Sequence, residues 1–154
     1  MMSEPPILVL CLGNDLRSDD GVGWAVADEL ERDPPPGAVV RRSAMSGLYL
    51  LDDLVDVRKA VVVDAIQTGR RPPGSVLEFA IDALGAPAGP SPHAVGLPTV
   101  LDLGRRSGLL LPERIDVVAI EVEDTSGIAE GISETVRRAV PEAVAAVRRR
   151  AGAS

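Results

Sequence analysis

Two short runs without a polar residue constrain the fold of this chain more than any other feature. They are 7–12 (Ile-Leu-Val-Leu-Cys-Leu) and 60–63 (Ala-Val-Val-Val), and each ends at a polar turn, Gly13-Asn14 and Asp64. A strand with one wet face alternates apolar and polar residues, whereas a strand covered on both faces reads as a continuous apolar run. Between the two runs, Val22, Ala25, Val26 and Leu30 recur at helical spacing over 21–32, and the three prolines at 34–36 stop that helix. A short strand near 38–42 and a helical patch with Leu48, Leu51, Leu54 and Val55 complete a strand, helix, strand, helix, strand alternation. Right-handed crossovers then give a largely parallel sheet with helices on both faces.

Farther along, 75–79 has β character, 98–106 has Leu101 and Arg105 one turn apart, and 115–122 predicts the last strand. Ser133 is placed to cap a final helix carrying Val136, Val140, Val144 and Val147 on one face, with a kink at Pro141. The glycine- and proline-rich stretch 85–92 reads as a surface loop. The expectation is an α/β, single-domain, three-layer sandwich over 1–154, with a mostly parallel, twisted sheet of about five strands.

Composition narrows the function classes. A chain of 154 residues suits one core. Trp24, Tyr49 and Phe79 are its only aromatic residues, so that core consists of Val, Leu, Ile and Ala. A formal charge of −7 with no basic stripe argues against nucleic acid. The Arg148-Arg149-Arg150 cluster is explained by the negative end of a helix dipole. One cysteine excludes an internal disulfide, and neither a signal peptide nor an apolar stretch of membrane-spanning length is found, so a cytoplasmic protein without membrane contact is expected.

In open α/β sheets ligands bind beyond the carboxyl ends of the strands. Three polar features fall there: the loop 13–21 with Asp15, Asp19 and Asp20, then Asp64 after the apolar run, then His93 in the long loop. Three carboxylates in a glycine-bounded loop repel phosphate and suit a cation, although Asp19 and Asp20 would equally serve as helix caps. Asp64 alone could be a turn former, and a lone histidine is often a bystander. Cys11, inside its apolar run, is expected to be an inert packing thiol. No G-x-S-x-G elbow is present for a serine hydrolase.

The ordered set of these segments resembles the hydrogenase maturation endopeptidases. It comprises Gly13-Asn14 with Asp19-Asp20-Gly21-Val22-Gly23, then Val61-Val62-Val63-Asp64-Ala65 with Pro73-Gly74, then Ser91-Pro92-His93 with Gly96, then Gly131-Ile132-Ser133. The resemblance implies an endopeptidase that trims the C-terminal extension from the large-subunit precursor of a nickel-iron hydrogenase. It also implies a site of Asp20, Asp64 and His93 acting as catalytic residues and metal ligands, and a nickel ion supplied by the substrate large subunit. Some members carry Glu where Asp20 stands. Two rival readings follow from the same residues: a non-proteolytic nickel-binding chaperone of the large subunit, and a nucleotide-binding regulatory domain, against which the acidic loop speaks.

Overall fold

The computed structural model describes residues 6–13, 21–44, 47–81, 97–123 and 132–152. Its frame is a five-stranded sheet in the order β2-β1-β3-β5-β4. The strands are β1 (Ile7–Leu12), β2 (Ala38–Ser43), β3 (Lys59–Ile66), β4 (Val76–Ala80) and β5 (Arg114–Glu121). β1, β2, β3 and β5 run parallel, and β4 pairs antiparallel with β5. Among the described residues, five α-helices accompany them: α1 (Val22–Arg32), α2 (Leu51–Leu54), α3 (Leu97–Arg106), α4 (Glu134–Arg137) and α5 (Val140–Gly152). The stretch 85–92, expected as a surface loop, lies outside the described residues.

The apolar runs are buried on both sides, as their lack of alternation requires. On one face Val9, Cys11, Val61, Val63, Val118 and Ile120 pack against α1, α4 and α5. On the other, Leu8, Leu10, Ala60, Val62, Val117 and Ala119 pack against Leu50, Leu54, Leu97 and Leu101. Each large aliphatic side chain contributes about 1.5–3 kcal/mol when fully buried, so the two cores jointly define a three-layer α/β sandwich.

Three details depart from the sequence expectation. β3 does not stop at Val63 but runs through Asp64 and Ala65 to Ile66, because its pairing with β5 continues to Ile66 opposite Glu121. The final helix is not one kinked rod. Ser133 caps α4, its hydroxyl accepting from Val136 N–H, and after a short turn α5 begins at Val140 with Pro141 in its first turn. Proline is tolerated there because its missing N–H would have had no intrahelical partner. Arg149 and Arg150 do more than answer a helix dipole, since both bind Glu78 on β4, at 2.8 and 3.1 Å.

Among the described residues no helix is long and apolar enough to cross a membrane.

Candidate functional site at the carboxyl edge of the sheet

β1 ends at Leu12, and Gly13 N–H still reaches the Ser43 carbonyl at 3.0 Å, so the parallel ladder holds up to the point where the acidic loop departs. The chain returns at Gly21, the N-cap of α1. Helix and strand are pressed together at this point: a Cβ on Gly23 would lie 2.0 Å from the Leu12 carbonyl oxygen. The segment carrying Asp20 is therefore anchored at both ends to one small patch of backbone. Asp20 itself and His93 lie outside the described residues.

Asp64 is described, and it is buried at 2% exposure inside β3. The β1–β3 pairing ends at Cys11 and Val63, so Asp64 is the first β3 residue beyond it, on the side where the acidic loop leaves β1. On its other side it faces Ala119 of β5. Its Oδ1 accepts the Ala65 N–H at 2.9 Å. Aspartate is a poor strand residue, and burying a carboxylate is costly unless something rewards it.

Two other carboxylates among the described residues of the sheet are buried. Asp116, fully buried near the start of β5, meets Arg114 at 3.0 Å and Arg150 at 3.6 Å. Glu121, 1% exposed at the end of β5, accepts Thr68 N–H at 2.8 Å, the Thr68 hydroxyl, and Gly69 N–H at 3.3 Å. Asp64 stands in an apolar strand at the edge where ligands bind.

Sequence reasoning did not single out Glu121. Its side chain holds the start of the β3–β4 connection through Thr68 and Gly69. Its main chain holds the end, accepting from Gly74 N–H and donating to the Ser75 carbonyl, both at 2.8 Å. A charge between Ile120 and Val122, both buried, was the available signal. Gly74, at φ +90°, also approaches α4, where a Cβ would lie 3.0 Å from the Thr135 carbonyl oxygen. Gly74 and the start of α4 are thus brought together at this same edge.

Cys11 is fully buried, and burial above all pushes its thiol up to about 12, against the opposing pull of Arg42. A thiol so held is not a nucleophile at neutral pH.

Comparison with known proteins agrees with this architecture. Residues 26–150 match the HycI model, hydrogenase maturation protease. The chain is 26% identical to the hydrogenase 2 maturation protease of Escherichia coli K12 over 149 residues, covering 92% of this chain and 90% of that protein. It is 32% identical to the hydrogenase expression/formation protein HupD of Thiocapsa roseopersicina over 155 residues, covering 94% of this chain and 68% of that protein. The solved structure of the hydrogenase maturating endopeptidase HybD from E. coli superposes with a TM-score of 0.77 at 26% identity, covering 92% of this chain and 89% of that one. With the family model, the relatives and the fold in agreement, the chain belongs to the hydrogenase maturation protease family and is a peptidase.

Proposed function

We propose that this peptidase is a metal-dependent, aspartic-type endopeptidase that removes the C-terminal extension of a nickel-iron hydrogenase large-subunit precursor after nickel insertion, through Asp20, Asp64 and His93. The observation that carries the reading is Asp64, a carboxylate buried in an apolar strand at the carboxyl edge, one residue beyond the end of the β1–β3 pairing. Family membership supports a hydrogenase precursor as the partner and sets aside the chaperone reading.

The donor set fits a divalent ion. Two carboxylates and one neutral imidazole leave such an ion incompletely coordinated, so its remaining ligands come from the substrate. The nickel is cargo of the precursor, recognised when the three side chains meet it. When bound, it supplies Lewis-acid chemistry, polarising the scissile carbonyl or a water. Asp64 contributes orientation: with Oδ1 held by Ala65 N–H and its backbone paired with β5 opposite Ala119, its carboxylate is in place before any partner arrives.

The test compares precursor made with and without nickel, incubated with the purified protein and read by mass spectrometry. The nickel-loaded precursor should yield a product shortened at its C-terminus, and the nickel-free one should stay intact until nickel is added. Equal cleavage of both would remove the metal dependence from the proposal.

A further inference from the structure

The opposite edge of the sheet, where the parallel strands begin, holds a cavity of about 570 Å³. Arg58, Lys59, Arg114 and Arg148 line it, with Glu113 as the one carboxylate among its described residues. Its apolar wall comes from Ile7, Pro35, Pro36 and Ala151. In a chain of formal charge −7, four cations around one acid form a local reversal of sign.

The four cations are not equivalent. Arg114 shares its charge with buried Asp116, and the Lys59 ammonium donates to the Arg150 carbonyl at the end of α5. Arg58 is exposed and Arg148 half-buried, and neither enters an ion pair among the described residues. Arg148 also separates from its two neighbours: Arg149 and Arg150 turn to Glu78, whereas Arg148 lines the cavity. At Lys59, burial first, then Arg114, hold the ammonium below the usual lysine range; Asp116 opposes them, and Arg150 and Arg58 add to the depression.

With Arg114 paired to Asp116 and Glu113 opposite, a monovalent anion would still leave this hollow positive. A phosphate dianion matches it better, because guanidinium forks engage phosphate oxygens in pairs and a tetrahedral group accepts from several directions at once. The proline and isoleucine wall calls for an apolar body attached to that phosphate. The volume lies within the roughly 300–1,000 Å³ common for small-molecule sites. A single hollow is too confined to track a nucleic-acid backbone.

We propose that this cavity binds a small phosphorylated organic anion, its phosphate held by Arg58 and Arg148 in front of Lys59 and Arg114 and its apolar body resting on Ile7, Pro35 and Pro36. The site is independent of the proteolytic edge. Lys59 and Asp64 are five β3 positions apart, about 16 Å at ~3.3 Å per residue.

The test uses the full chain with phenyl phosphate as probe, followed by thermal unfolding and calorimetric titration at constant ionic strength. Phenyl phosphate should bind saturably and raise the midpoint, inorganic phosphate should bind at least tenfold more weakly, and phenol should do nothing. An Arg58→Gln/Arg148→Gln double variant should weaken phenyl phosphate at least tenfold, and an Arg58→Lys/Arg148→Lys variant should retain part of the binding. Glu113→Gln, which removes the facing carboxylate, should tighten it a few-fold. Asp64→Asn should leave it unchanged, so failure of this site and failure of the proteolytic assignment are read separately. A midpoint shift reproduced by chloride at equal ionic strength, or equal affinity in a folded double glutamine variant, would overturn the proposal.

Discussion

The Leu12 carbonyl oxygen lies 2.0 Å from where a Cβ on Gly23 would stand, so α1 rests on the end of β1 at a separation that only glycine permits. Alanine inside a helix is ordinarily favoured over glycine by about 1 kcal/mol. At Gly23 the obstacle is backbone and cannot rotate away, so overpacking wins. Gly23→Ala should destabilise the protein by about 2 kcal/mol or more, lowering Tm by roughly 4–8 °C for a chain of this size. Gly104→Ala is the contrast: the added methyl meets only the Leu111, Leu51 and Leu109 side-chain ends, which can shift. Its loss of Tm should be smaller. Equal losses in the two variants would refute the close-approach argument.

Glu121 supplies a second expectation. Glu121→Leu keeps a similar volume but removes both acceptor oxygens, so the Thr68 and Gly69 N–H groups that share one of them and the Thr68 hydroxyl that meets the other lose their acceptor. Leaving buried donors unmatched costs about 1–3 kcal/mol. Urea denaturation should show a loss of that size, and the Thr68 and Gly69 amides should exchange faster with deuterium while those of β1 keep their protection. Unchanged exchange at Thr68 and Gly69 would show that the carboxylate does not organise the β3–β4 connection.

Cys11 gives the pH-dependent case. Its folded thiol is pushed up from an ordinary value of 9.0 to about 12 by burial. The unfolded chain therefore releases this proton first as pH rises. The stabilising contribution is fully present below pH ~9 and is lost between ~9 and 12, at up to about 1.4 kcal/mol per pH unit. Cys11→Ala should cost ~1 kcal/mol near neutrality for the lost volume, flatten the alkaline limb of the stability curve, and keep precursor cleavage within a few-fold. A folded Cys11→Ala protein without cleavage would contradict the packing role.

What is legible in the sequence and what is not divides along the range of the interactions. Residues 7–12 specify β1 because a six-residue apolar run admits little besides a strand buried on both faces. From its neighbours alone Asp64 marks the end of β3, since an aspartate ordinarily interrupts a strand; that β3 continues to Ile66 depends on its pairing with β5, which is non-local. The antiparallel direction of β4 is hidden for a related reason: it follows from the short 67–75 connection, which has no helix to carry a crossover. Glu121 carries little local mark because its partners, Thr68 and Gly69, are more than fifty residues away. Arg148–Arg150 reads as one dipole-driven cluster, yet Arg149 and Arg150 both reach Glu78 on β4 while Arg148 lines the basic cavity, and those destinations are set by strands far away in the sequence.

Asp20, Asp64 and His93 are expected to act as one unit. Asp64→Asn retains the shape of a buried side chain but removes its charge, and Asp20→Asn likewise removes a charge. His93→Ala removes the chain's only imidazole. If the three meet a single ion, losing any one should cost several kcal/mol of interaction, and each ~1.4 kcal/mol is a factor of ten in affinity. Every single variant should then cleave nickel-loaded precursor at least a hundredfold more slowly, and the doubles should be scarcely slower than the singles, because residues acting as a unit are not additive. Independent residues would instead multiply their losses. Circular dichroism and Tm must show that the variants fold; for Asp64→Asn, replacing a buried carboxylate by a neutral amide should leave Tm within a few degrees. Precursor cleavage is followed by mass spectrometry over time for the three singles and three doubles. A well-folded His93→Ala or Asp64→Asn protein that cleaves at the wild-type rate would remove that residue from the site, and multiplicative doubles would show that the three do not share one ion.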